Sequence, residues 1–406
     1  MIRMTLSIVV GAMVIRHLGP ADFGYYSYVQ SIVIILTPIS SLGINNLIVK
    51  RMSDSGRNLY LMAGAWFVKL LASSAVFLIL ATYFLDQEDI NDYYTTCALV
   101  ISLTPLLQSL VVVELYNQAK SNFYIISLVN IVLAIISAVL KCVIIYFEGD
   151  LIYFCYMFLF DIGSGYLILF LLSFVRTAKY LSQIDVNLRD LWNSTVSNFI
   201  SPAVGMLILS GVSTSLWMRL DVIMIEHYLG YESVGYYSSA IRISEALNML
   251  PTIILTVLFP VLLSRRSVNN QDYQRTISLL YKLLFFISLF IAAIFSVTSD
   301  IIISSLYGSG YHSSSTVLSI TSFTFVFVAI SLLNGRYFTI EELFKSILIR
   351  NVVALIINAL LNWVFIPKYG LQGAAWASVF AWFTSAILVD VFDLKNRKYL
   401  RIKYSV

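Results

Sequence analysis

"LGPADFGYYS", Leu18–Ser27, returns as "LGYESVGYYS", Leu229–Ser238, 211 positions further along a chain of 406 residues. Six of the ten positions agree: Leu18/Leu229, Gly19/Gly230, Gly24/Gly235, Tyr25/Tyr236, Tyr26/Tyr237 and Ser27/Ser238. The spacing is about half the chain, so the chain is read as two similar halves. A second anchor supports this. Residues 130–149, "NIVLAIISAVLKCVIIYFEG", align with residues 351–370, "NVVALIINALLNWVFIPKYG", at an offset of 221. Apolar matches arise easily, so Asn130/Asn351 and Gly149/Gly370 weigh most. The change of offset calls for about ten extra residues in the second half. The connection around "YGSGYHSSS", Tyr307–Ser315, accommodates them.

Working outward from the repeat, the surroundings are apolar. Hydrophobic residues make up 59% of the chain and charged residues 12%, against roughly 25% charged in average soluble domains. Apolar runs of about 20 residues, the length a helix needs to cross the hydrocarbon core, recur throughout. Helices satisfy their own backbone groups in lipid, so the fold class is an all-α membrane protein. Twelve spans are predicted, near residues 2–18, 23–49, 59–85, 94–116, 123–147, 151–174, 194–218, 234–263, 276–298, 313–334, 346–366 and 371–393. They divide into an N-terminal six-helix lobe (1–175), a cytoplasmic linker (176–193), a C-terminal six-helix lobe (194–393) and a basic cytoplasmic tail (394–406). "MIRMTLSIVV" has the Arg3 flank and apolar run of a signal peptide, but no small-residue cleavage site follows. It is read as a short first membrane helix.

Charge sets the expected orientation. With the N-terminus inside, 18 Lys and Arg fall on inner connections and 3 (Arg16, Arg219, Lys368) on outer ones. The positive-inside rule then puts both termini in the cytoplasm. The acidic outer connection "DQEDINDYY", Asp86–Tyr94, agrees. The net charge of +4 reflects topology and carries no nucleic-acid signal. Each repeat anchor is separated from its copy by six spans. An even number keeps the halves parallel, the arrangement used by transporters whose halves rock about a central site. Cys97, Cys142 and Cys155 fall inside spans as packed thiols, and His17, His227 and His312 lack metal-ligand spacing. No metal or cofactor is expected.

Three stretches carry a family resemblance. "IRHLGPADFGYYSYVQSI" resembles the helix 1–2 signature of the polysaccharide biosynthesis (Wzx-type) flippases. "WMRLDVIMIEHYLGYESVGYYSSAIRISEAL" resembles their helix 7–8 signature, and "NWVFIPKYGLQGAAWAS" is similar to their helix 11–12 connection. The resemblance implies the fold of the multidrug/oligosaccharidyl-lipid/polysaccharide exporter superfamily, with two six-helix bundles. It implies movement of an undecaprenyl-pyrophosphate-linked oligosaccharide, such as an O-antigen unit, across the bacterial inner membrane. The bilayer, that lipid-linked glycan, a polysaccharide polymerase and a chain-length regulator are the partners it implies. The family's first helix is usually longer and preceded by a cytoplasmic segment; this sequence departs from that pattern.

Charges inside spans are the candidate transport residues. One at mid-bilayer costs about 2.5–3.5 kcal/mol on insertion scales, so it faces a cavity or a partner. The bases are Lys69, Lys141, Arg242, Lys282 and Arg350; the acids are Glu114, Asp161, Glu245 and Asp390. Lys282, Glu114 and Asp390 sit near span ends, where long side chains snorkel, and are set aside. In the fifth span Asn130, Ala134, Ser137 and Lys141 share one helical face, as Asn351, Leu355, Asn358 and Asn362 do in the eleventh. Such stripes suit cavity lining or helix–helix hydrogen bonding. Arg219 and Asp221 form a charge pair that the first repeat lacks, since Ile8 and Val10 align with them; an outer-interface anchor is the alternative. Arg242 and Glu245 are three apart and suit an internal salt bridge. Lys69, Lys141, Arg219, Asp221, Arg242, Arg350, Asn358 and Asn362 are thus the expected translocation set, with bases for the phosphates and amides for sugar hydroxyls. No GxxxxGK[ST] loop is present, so ion coupling is expected, with Asp161, the most isolated acid, and Glu245 as candidates.

A lipid II flippase and a multidrug antiporter share this architecture and remain alternatives. The lipid II type often carries two extra helices. An integral-membrane glycan polymerase or glycosyltransferase is the alternative from another class, though the outer connections are short for one and the repeat would be unexplained.

Overall fold

The computed structural model describes residues 2–45, 48–49, 52, 58–87, 91–181, 202–268, 270–341 and 343–392. Most of the linker (182–193) and the whole basic tail (394–406) lie outside the described residues, as do Ser194, Ser197 and Ser201 of the seventh span. The described residues form helices α1 (Ile2–Ser41), α2 (Asn58–Leu85), α3 (Asp92–Ser102), α4 (Thr104–Gln108), α5 (Val111–Ala119), α6 (Phe123–Tyr146) and α7 (Leu151–Leu181). Then come α8 (Pro202–Leu247), α9 (Met249–Val268), α10 (Asn270–Val297), α11 (Ser299–Tyr307), α12 (Ser313–Thr321), α13 (Thr324–Ile340), α14 (Phe344–Phe383), a π turn (Thr384–Leu388) and α15 (Val389–Phe392). There is no strand among them.

Nine continuous segments among the described residues are long and apolar enough to cross a membrane. Three of them are two spans fused across one glycine: Gly19 in α1, Gly230 in α8 and Gly370 in α14. Counting those as pairs gives the twelve spans, in two six-helix lobes. The tight turn expected at the repeated motif is therefore a single residue. Gly19 (φ 74°, ψ 172°) and Gly230 (φ 80°, ψ 176°) take nearly the same left-handed conformation, which side chains other than glycine strain to reach. Pro20 restarts the helix at its first position, where its missing N–H costs nothing.

The chain forms two compact units. One comprises Met1–Leu18 and Tyr28–Ser215; the other comprises Gly19–Ser27 and Leu216–Val406. In the first unit, α3, α4 and α5 form one span interrupted at Pro105. The Asn91 side chain caps its start, accepting from the Tyr93 N–H at 3.3 Å. A core of Ile44, Ile48, Met52, Ala65, Val112, Leu115 and Tyr116 closes one end. His17 meets the Gly149 carbonyl at 2.9 Å, so the residue just before the first motif is tied to the end of the second anchor. Helix α6 is the most lipid-like element. Phe123 and Tyr124 at its start, and Tyr146 and Phe147 at its end, are all exposed.

In the second unit, α9, α10 and α13 enclose the largest core, including Leu255, Ile277, Tyr281, Ala329, Leu333 and Phe338. Phe286, Phe290 and Val297 on the other side of α10 are exposed, as residues facing acyl chains should be. Serine and threonine in the spans return their hydroxyls to the preceding turn, for example Ser213 to Leu209 at 2.8 Å and Thr321 to Val317 at 2.9 Å. This is how apolar helices carry them. The tyrosines of the motif, expected in the interfacial belt, turn inward. Tyr25, Tyr26 and Tyr237 are buried, and Tyr25 packs edge-on against Tyr231 with ring centroids 5.1 Å apart.

Candidate functional site

The site is built on the two arms of α8, before and after Gly230, and on α14. Asp221 lies on the first arm and is buried. Tyr237, from the second arm, and Ser378, from α14, both donate to Asp221 Oδ2, Ser378 at 2.6 Å. Tyr237 and Ser378 also meet each other at 2.9 Å, closing a triangle. Asp221 Oδ1 is buried and has no hydrogen-bond partner among the described residues. Only two carboxylates among the described residues are fully buried, Asp221 and Asp390. Asp390 is paired with Arg350; Asp221 forms no ion pair among the described residues.

Residues i and i+2 on a helix face different ways, and Arg219 accordingly turns from Asp221 to Glu245, at 3.3 Å. The charge pair Arg219/Asp221 and the salt bridge Arg242/Glu245 expected from spacing are thus repartnered. Arg242 instead stands over the Phe23 ring, 5.0 Å from its centroid. Arg219, Asp221, Tyr237, Glu245, Asn248 and Asn358 line one cavity, closed on one side by Trp217 and Trp382. The two indoles are in contact, their centroids 4.4 Å apart. Behind Asn358, Asn362 donates to its Oδ1 at 3.0 Å. The Oδ1 atoms of Asn362 and Asn248 are buried acceptors without a partner among the described residues. The cavity therefore presents a carboxylate and amide oxygens, with Arg219 and Glu245 partly exposed beside them. Chemically it can hold a proton or a small cation at Asp221, and a polar headgroup at Arg219.

The other expected residues lie elsewhere. Lys141 reaches Asp161 Oδ2 at 2.5 Å, and Ser137, one turn earlier on α6, donates to Asp161 Oδ1. The α6 stripe thus meets α7 as a polar seam, and Asp161, expected to be the isolated acid, is held by two donors. Lys69 is buried and donates to the Ser41 carbonyl at 3.1 Å and to Asn45 Oδ1 at 2.6 Å. It caps the C-terminal end of α1, where a cation complements the unpaired carbonyls. Arg350 pairs with Asp390, donates to the Ser385 carbonyl at 3.1 Å and lies 4.3 Å from the Phe338 ring centroid. Asp390, set aside as a snorkelling residue, is instead buried in this pair.

Of the expected set, Arg219, Asp221, Glu245 and Asn358 come together in one cavity. Lys69, Lys141, Asp161, Arg242 and Arg350 do not join it. Tyr237 and Ser378 were missed. Tyr237 sits in the repeated motif, and its copy Tyr26 aligns across from Val10, where the second repeat has Asp221. That asymmetry was the available signal.

Comparison with known proteins places these features. Residues 1–265 match the family described as polysaccharide biosynthesis protein. No curated protein matches the chain. Among solved structures, the lipid II flippase MurJ in an inward closed conformation aligns with a TM-score of 0.71 at 15% identity, covering 99% of this chain and 88% of that one. A multidrug resistance MATE family transporter of the MOP superfamily, facing inward, aligns at 0.66 and 15% identity, covering 99% and 96%. A MOP superfamily transporter from Pyrococcus furiosus aligns at 0.67 and 17% identity, covering 99% and 94%. At these identities the likeness is one of fold. Taken with the twelve spans and the match over 1–265, it identifies the chain as a member of the polysaccharide biosynthesis protein family, a membrane transporter of the MOP superfamily and not an enzyme.

Proposed function

We propose that this chain flips an undecaprenyl-pyrophosphate-linked oligosaccharide across the bacterial inner membrane by alternating access, and that an ion gradient drives it through Asp221. The observation that carries the coupling is Asp221 itself: a buried carboxylate with two hydroxyl donors, no ion-pair partner among the described residues, and one unpartnered oxygen in a cavity. A buried carboxylate is stabilised by taking up a proton or a cation. Arg219 and Asn358, lining the same cavity, suit a phosphate and a sugar hydroxyl. Occupancy at Asp221 and capture of the headgroup then draw on the same wall of the lobe. The basic excess on inner connections supports a topology with both termini cytoplasmic. Lobe limits at 1–175 and 194–393 follow from that topology, and a polymerase with a chain-length regulator would receive the product.

The test is reconstitution into proteoliposomes with a fluorescent undecaprenyl-pyrophosphate-linked oligosaccharide. Flipping is read as protection of the label from a membrane-impermeant reductant. The wild-type chain is expected to accelerate flipping when a proton or sodium gradient is imposed, and Asp221→Asn to flip without responding to either gradient. A chain that flips lipid II but not this probe, or that moves only free cationic drugs, overturns the substrate assignment. An unaltered gradient response in Asp221→Asn overturns the coupling assignment.

A further inference from the structure

The last span holds a feature that transport of a headgroup does not by itself require. Between α14 and α15 the backbone adopts a π turn, Thr384–Leu388. It contains neither glycine nor proline, the usual local causes of a break in a helix. A π turn holds one residue more than an α turn and leaves carbonyls to be satisfied from outside. Here other helices supply the donors. Arg350 of α14 donates to the Ser385 carbonyl at 3.1 Å, and Asn334 of α13 donates to the Ala386 carbonyl at 3.1 Å. Tyr281 of α10 in turn donates to Asn334 Oδ1 at 2.8 Å. Just beyond the turn, Asp390 closes the buried pair with Arg350. One wide turn is thus held by side chains from three other places in the unit. A buried ion pair is a poor source of net stability, and its best-attested use is to fix a register. The same helix carries Ser378, a donor to Asp221, two turns before the π turn.

We propose that the π turn is a register switch: when the Arg350–Asp390 pair opens, the extra residue is absorbed and the segment after it rotates by about 100°, one residue of α-helix. The turn of helix that donates to Asp221 stays in place while the end of the span changes face. Arg350 and Asn334 are the positioning residues that hold the wide form. The link to Asp221 rests on the coupling reading above; the switch itself does not.

Spin-label distances in the full chain test it. One label replaces Leu388, at the end of the turn, and its reference replaces Leu279 on α10; both sites are exposed. A control pair uses Trp376, exposed and upstream of the turn, with the same reference. The Leu388–Leu279 pair is expected to show two distances in the wild-type chain. Arg350→Gln should leave mainly the one absent from the wide form, with Trp376–Leu279 unchanged. Deleting Ile387 removes the extra residue. It should give that single distance outright and lower flipping of the oligosaccharide probe by at least tenfold. A single, unmoved Leu388–Leu279 distance in the wild-type chain and in Arg350→Gln overturns the proposal, as does undiminished flipping by the deletion variant. Where either variant fails to fold, Arg350→Lys decides: a partial shift supports the switch and no shift overturns it. In Asp221→Asn, altered populations support the link between the two places. Loss of gradient response with unaltered populations leaves the coupling reading standing and removes the link.

Discussion

Gly24 and Gly235 stand in reciprocal relation: a side-chain carbon on Gly24 would overlap the Tyr231 carbonyl, and one on Gly235 would overlap the Pro20 carbonyl. The two copies of the motif pack backbone to backbone, each lending the other a glycine. Gly24→Ala and Gly235→Ala should each destabilise the protein by about 1–3 kcal/mol, the range for overpacking a tight contact. Gly205, with open space around it, is the control; Gly205→Ala should be neutral or stabilise by up to about 1 kcal/mol as a better helix former. Thermal unfolding in detergent reads all three. Equal melting temperatures for Gly24→Ala and the control would refute the contact.

Tyr237→Phe and Ser378→Ala each remove one donor from Asp221, and lost donors to a buried acceptor cost about 1–3 kcal/mol. Gradient-driven flipping should fall about tenfold in each, on the order of the 1.4 kcal/mol that a tenfold change represents. Flipping without a gradient should change less. Equal loss in both conditions would reduce the triangle to a packing device.

The seam between α6 and α7 predicts a different pattern. Lys141 and Asp161 are about a quarter and a third exposed, so a double-mutant cycle should give a coupling of about 1 kcal/mol. Asp161→Asn should keep its gradient response, because its carboxylate is already matched by Lys141. Loss of that response with intact folding would return Asp161 to the coupling role.

Lys69→Met leaves the Ser41 carbonyl and the Asn45 amide oxygen without their donor, and should cost about 1–3 kcal/mol. Lys69→Arg should not restore it, since a planar fork does not replace a compact ammonium in a closed site. Melting temperature is the readout. Full stability with greatly reduced flipping in Lys69→Met would instead support contact with substrate phosphate.

Between spans, the Tyr307 phenol donates to the Ser239 carbonyl at 3.2 Å. Burial pushes its pKa up to about 12, with Arg242 pulling the other way. The raised value means the neutral form is favoured in the folded state. Its contribution is present below the ordinary tyrosine pKa near 10 and lost as pH rises through about 12. Tyr307→Phe should therefore flatten the alkaline fall in melting temperature over that window. An unchanged alkaline limb would rule this group out as its source.

Much of this was legible in the sequence. Composition and span length carry the fold class because the bilayer demands closed backbone bonding over a fixed thickness. The repeat carries the two lobes because an equal fold needs equal corners. Pairing was less legible. Spacing along one helix linked Arg242 to Glu245 and Arg219 to Asp221, but charges inside a bundle choose partners across helices. Glu245 is met by Arg219 from the other arm of α8, and Lys141 finds Asp161 on α7. Asp390 was misplaced for a related reason. Distance from a span end says nothing about whether a neighbouring helix covers that end, and here Arg350 does. The π turn leaves no periodic trace, since one extra residue shifts an apolar pattern that was already nearly uniform.

Helix α6, 24 residues long with exposed aromatic pairs at both ends, is about 36 Å from end to end at 1.5 Å per residue. Its aromatic rings settle at headgroup depth, so the helix works as a ruler against the bilayer. Lipids with shorter acyl chains would force it to tilt, and because Ser137 and Lys141 on α6 grip Asp161 on α7, the tilt would be handed on to its neighbour. The rate of this transporter should then depend on acyl-chain length as well as on its substrate, and the thickness of its host membrane becomes a working parameter of the machine.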